Sequence, residues 1–176
     1  QMWPVSALTT RTYNSGSTPD ERGMRFTFPA AVRLLGCYAR IDLDGDCEIV
    51  LYDTDGTTVL QTVALDANVR SGALGLSAPF CFDSSQVLTA NSVYRLVVKP
   101  TTVTNLSIYD FDVASAARMN AGGGGQNWYS TQRTDAGAWT DTVTNRPLMG
   151  LIVDQSDDDF TVVRLLHFLD NDEVSI

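Results

Sequence analysis

Residues 34–65 read LLGCYARIDLDGDCEIVLYDTDGTTVLQTVAL, and this stretch decides the fold. Three runs of alternating or β-branched residues are separated by two Asp/Gly turns, Asp44-Gly45-Asp46 and Thr54-Asp55-Gly56-Thr57. Apolar runs flanking an Asp-Gly pair are a strong short-range hairpin signal. Two in succession predict an antiparallel meander. A three-residue loop at 44–46 sets Leu43 opposite Cys47, Ile41 opposite Ile49 and Ala39 opposite Leu51. That face is apolar and predicted to be buried. The other face pairs Asp42 with Glu48, Arg40 with Val50 and Tyr38 with Tyr52, and is predicted to meet water. A two-residue loop would mix the faces, so the pattern favours the longer one.

Outward from this stretch, the strand signals continue. Arg25-Phe26-Thr27-Phe28 reads as a first strand ended by Pro29. Phe80-Cys81-Phe82, residues 93–98, residues 106–113, residues 127–133, residues 148–153 and residues 160–169 complete the series. Turns are expected at residues 89–92 and at Asp135-Ala136-Gly137, which places Trp139 on a return strand. Residues 66–77 read as a long loop, and Gly122 to Gly125 as a flexible connector. Only residues 114–119 suggest a helical turn or two. A turn about every ten residues predicts an all-β, antiparallel β-sandwich, jelly-roll-like. Composition agrees. There is a single lysine, Lys99, and only Glu21, Glu48 and Glu173 among the glutamates, so surface helix formers are scarce. The domain division expected is an N-terminal arm at 1–23, a sandwich at 24–155 and a C-terminal strand or arm at 156–176.

The 21 acidic and 12 basic side chains leave a formal net charge of −9. Such a surface repels phosphate backbones and anionic membranes, so no nucleic-acid or membrane partner is expected. It confers solubility and would favour a partner with a basic patch. No apolar run reaches the length of a membrane span, and no signal peptide is visible. The chain begins at Gln1, which is compatible with a processed leader. Cys37, Cys47 and Cys81 are an odd number without zinc-site spacing, and are expected to be unbridged, small buried hydrophobes of a reducing compartment.

Candidate chemistry is sparse. Asp42, Asp44 and Asp46 invite a calcium reading, but the run is too short for an EF-hand and suits a turn. The cluster of Asp154, Asp157, Asp158 and Asp159 reads as solvated linker. The glycine run 122–125 lacks the Gly-Lys-Ser/Thr of a phosphate loop. The formal sequon Asn105-Leu106-Ser107 opens a predicted strand and is discounted. The only histidine, His167, sits in an alternating segment with no nucleophile elbow to serve. No enzyme, cofactor or metal is therefore expected. Trp128, Tyr129 and Trp139 are the candidate ligand-binding residues, because aromatics can stack on sugar rings. Core packing is the competing reading for each tryptophan.

Four segments, Phe26-Thr27-Phe28, residues 35–40, residues 50–57 and residues 94–100, resemble a sandwich domain of tailed-bacteriophage virion proteins. Residues 131–141 and 146–151 are similar too, so the likeness spans roughly residues 24–155. The resemblance implies a non-enzymatic particle component located in the virion, either a capsid decoration (cement) protein or a tail or fibre module. Its implied partner is the major capsid protein or another virion protein. Terminal segments carrying Met2, Trp3, Phe160 and Phe168 are expected to dock and to build a homo-oligomer, with a trimer favoured. The alternative is a carbohydrate-binding module, or a tail-fibre receptor-binding domain, using the exposed aromatics.

Overall fold

The computed structural model describes residues 8–13, 16, 20–43, 45–66, 76–103, 105–112, 128–154 and 163–166. Among these, every regular element is a β-strand. The strands are β1 (Leu8–Tyr13), β2 (Glu21–Phe26), β3 (Val32–Leu43), β4 (Cys47–Tyr52), β5 (Val59–Leu65), β6 (Leu76–Leu88) and β7 (Tyr94–Pro100). They continue as β8 (Leu106–Asp112), β9 (Tyr129–Arg133), β10 (Thr140–Thr142), β11 (Asn145–Pro147), β12 (Met149–Asp154) and β13 (Val163–Leu166).

The first eight strands form two antiparallel sheets. One runs β1-β8-β3-β6, the other β2-β7-β4-β5. The chain changes sheet at every step except between β4 and β5. This is the two-Greek-key order of a jelly roll, so the expected class is the observed one. The later strands extend it. β9 and β10 continue the second sheet beyond β2. In the first sheet β3 forks. Tyr38 pairs with Pro79 of β6 and Gly150 of β12, while Ile41 pairs with Leu76 of β6 and Ile108 of β8. β12 therefore takes over β8's side of β3. The backbone of Leu148 closes the fork, donating to Tyr109 O at 2.7 Å and accepting from Arg40 N at 3.2 Å. β11 pairs with β8, and β13 with β12.

The core lies between the sheets. Met24, Phe26, Leu34, Ala39, Ile41, Ile49, Leu51, Leu96, Val98, Leu106, Ile108, Leu151 and Val153 are buried together. Each large side chain among them contributes up to about 1.5–3 kcal/mol by leaving water.

Several expectations are corrected. β3 and β4 are not a hairpin. They belong to opposite sheets, and the 44–46 connection crosses between them. Ala39 and Ile41 do share a core with Ile49 and Leu51, but across the interior rather than side by side. The second face of β4 is largely covered, with only Glu48 half-exposed. Val50 and Tyr52 are buried together with Val97 of β7, and Trp139 packs against them. The β4–β5 hairpin stands, with Leu51 opposite Gln61. Its turn places Gly56 at φ +71°, where a side chain is strained. Residues 1–23 are not an arm throughout, since β1 pairs with β8 and β2 begins at the buried Glu21. Cys37 and Cys47 are buried and unbridged, but Cys81 is exposed. β13 pairs along β12 of its own chain. Met2, Trp3, Phe160, Phe168, His167, Asp44, residues 114–119, the glycine run and Asp157 to Asp159 lie outside the described residues.

Candidate functional site

The densest polar construction lies on the outer face of the second sheet. It begins with the β9–β10 hairpin. Asp135 and Ala136 both have positive φ, 48° and 56°, and Gly137 N donates to Thr134 O at 2.8 Å. Two left-handed central residues are what a type I′ turn requires. The hairpin is tied to the start of β2: Asp20 N donates to Arg133 O, and Asp135 N to Asp20 Oδ1, each at 3.1 Å.

Pairing of β9 with β2 sets Arg133 opposite Glu21. Arg133 Nε donates to Glu21 Oε1 at 2.9 Å, and both side chains are almost fully buried. The guanidinium carbon lies 4.6 Å from the Tyr52 ring centre and 4.5 Å from that of Trp139. Gly56 O accepts from Trp139 Nε1 at 2.8 Å and from Arg133 Nη1 at 3.3 Å. One carbonyl of the β4–β5 turn thus pins the far hairpin across the sheet. A Cβ on Gly56 would sit 2.8 Å from Trp139 Nε1. Gly56→Ala is expected to cost about 1–3 kcal/mol, from strain at positive φ and from displacing the indole. Urea denaturation followed by tryptophan emission checks this, and an unchanged midpoint would contradict it.

A second cluster flanks the first. Arg25 Nε lies 3.4 Å and Arg95 Nη2 3.3 Å from Asp141 Oδ2. Thr131 Oγ1 donates to Asp141 Oδ1 at 2.6 Å. Arg25 Nη1 donates to the Tyr129 hydroxyl. Arg146 lies over the rings of Trp128 and Tyr129 and donates to Val143 O and Asn145 O. Burial lowers the pKa of Arg95 and of Arg146.

The three candidate aromatics are thus separated. Trp128 belongs to the core, where packing has won over a ligand-stacking role. Tyr129 and Trp139 reach the outer face, but Trp139 spends its N–H on Gly56 and packs its ring against Arg133, Arg95 and Tyr52. Among the described residues no group of His, Cys, Asp or Glu could hold a metal. Sequence reasoning missed Glu21, Arg25, Arg95, Arg133 and Asp141. The available signal was alternation in Glu21-Arg22-Gly23-Met24-Arg25 and Tyr129-Ser130-Thr131-Gln132-Arg133, which puts charge on one face of two strands.

The acid–base behaviour follows from burial. The Cys47 thiol is pushed from 9.0 up to about 12, first by burial and then by Asp46 and Glu48. The Tyr52 phenol is pushed from 10.0 up to about 12, first by burial and then by the Glu21 carboxylate. Burial also raises Cys37. Between about pH 9 and 12 the unfolded chain releases protons that the folded chain keeps, so stability falls as pH rises. Urea midpoints measured across that window are expected to drop. Tyr52→Phe and Cys47→Ala are each expected to flatten the slope, and a level profile in the parent would contradict the burial of these groups.

The chain matches no protein-family model, no curated protein and no solved structure.

Proposed function

We propose that the chain is a non-enzymatic structural protein of a tailed-bacteriophage particle, a capsid decoration subunit bound to the major capsid protein of the head lattice as a homo-oligomer. The observation that supports this most is how the polar side chains of the outer face are used. Arg133, Glu21, Trp139, Arg95 and Asp141 are spent on bracing one hairpin and one turn across a jelly-roll sheet. That is the economy of a rigid scaffold. The resemblance of residues 24–155 to virion sandwich domains points the same way. Recognition of glycans by aromatic stacking has less support, because Trp128 is in the core and Trp139 is covered by its own neighbours.

The test is location. Purified particles from cells carrying this gene are labelled with an antibody to the chain and viewed by electron microscopy. Label over the heads is expected. Label confined to tails or fibres would move the protein to the alternative virion position, and particles free of the chain would overturn the proposal.

A further inference from the structure

The chain holds a second polar construction, between the sheets and not on their outer face. A cavity of about 260 Å³ opens where the extension strands β9, β10 and β11 meet the jelly roll. The second sheet supplies Arg22 from β2, Ser130 and Gln132 from β9, and Thr142 from β10. The first sheet supplies Asp110 from β8 and Asn145 from β11. Asp110 is buried, and its Oδ2 accepts from Asn145 Nδ2 at 3.2 Å. Ser130 Oγ is buried and has no hydrogen-bond partner among the described residues. A buried hydroxyl in that condition carries a desolvation penalty of about 1–3 kcal/mol until something bonds to it.

The size and chemistry restrict the occupant. The space is large enough for several waters, and it falls just below the ~300 Å³ at which drug-sized sites begin. Among the described residues the charged lining is one cation and one anion, so no net charge is selected. Ile108 and Gly23 supply an apolar patch, and the other groups are hydroxyls and amides, each able to donate and to accept. Among the described residues no aromatic ring lines the space, so a stacked base is not favoured. A single neutral ring bearing several hydroxyls satisfies size, charge and hydrogen bonding together.

We propose that this inter-sheet cavity binds one neutral monosaccharide unit, held edge-on by Asn145, Gln132, Ser130 and the Arg22–Asp110 end of the cavity. The proposal is independent of the virion reading. It also differs from aromatic stacking, since none of Trp128, Tyr129 and Trp139 lines the site.

The experiment is a titration of the full chain, followed by amide nitrogen–proton spectra. The probes are D-glucose, D-galactose, D-mannose and N-acetyl-D-glucosamine, with glycerol and glycine as controls. At least one sugar is expected to give saturable shifts at Gly23, Thr131 and Asn145, with Kd on the order of 1 mM. The controls are expected to give none. Thr142 is exposed on the short strand β10, at the rim, so Thr142→Tyr plugs the opening without entering the core. It is expected to weaken binding at least about tenfold at unchanged Tm. Gln132→Ala, which removes an amide from the lining, serves the same purpose if the plug disturbs β10. Three results would overturn the proposal: no saturable shift with any sugar, glycerol or glycine shifting the same amides as strongly, or a folded variant that binds as the parent does.

Discussion

Arg133→Met is expected to destabilise the fold by about 3–5 kcal/mol. The guanidinium is the direct counter-charge of Glu21, whose carboxylate lies in a buried position 2.9 Å away. Removing the cation leaves that carboxylate uncompensated in a place water does not reach, and this penalty dominates. The same substitution frees Gly56 O from one donor and uncovers the ring faces of Tyr52 and Trp139. A loss of this size is a large part of the ~5–15 kcal/mol that holds an ordinary domain together. The double variant Glu21→Leu with Arg133→Met separates charge from packing. It is expected to recover much of the loss, because a buried pair replaced by apolar side chains is often close to neutral. Urea denaturation of the parent, both single variants and the double variant closes the cycle. A loss below about 1 kcal/mol for Arg133→Met alone would mean that Glu21 finds another partner.

Ile49→Ala is expected to cost about 2–5 kcal/mol. Ile49 is fully buried on the inner face of β4, between Val63 of β5 and Val98 of β7. Truncation removes apolar surface from the core and leaves a cavity that strands locked on both sides can only partly fill. Val59 is the control. It lies on β5, is 52% exposed, and Val59→Ala is expected to stay within about 0.5 kcal/mol of the parent. The Ile49 loss reports burial, not pairing, so it would appear in a β3–β4 hairpin as well. Pairing is read separately, from backbone contacts between Ile49 and Val98 in the folded chain. Contacts between Ile49 and Ile41 as ladder neighbours would contradict the two-sheet arrangement.

The sequence by itself determined where most strands lie, the inward face of several of them and where several of the turns fall. Alternation in Ala39, Ile41, Ile49 and Leu51 marks the inner side of two strands because successive side chains point to opposite faces. The Asp55-Gly56 turn is legible because few residues tolerate positive φ, whereas at 135–137 Asp and Gly mark a turn whose positive φ falls on Asp135 and Ala136. Alternation has no memory of the neighbouring strand, however. A buried Ile41 opposite a buried Ile49 satisfies the same pattern as cross-strand neighbours or across the interior of a sandwich. The choice came from β7 and β5, which take both edges of β4 and leave none for β3. Residues 8–13 and 21–23 are too polar to announce strands, and it is pairing with β8 and β7 that makes them so. The Arg133–Glu21 pair joins positions 112 apart, and the cavity draws on five strands of two sheets. Both depend on long-range closure, which only the tertiary structure decides, because local sequence sets a side chain's direction but not what it will meet.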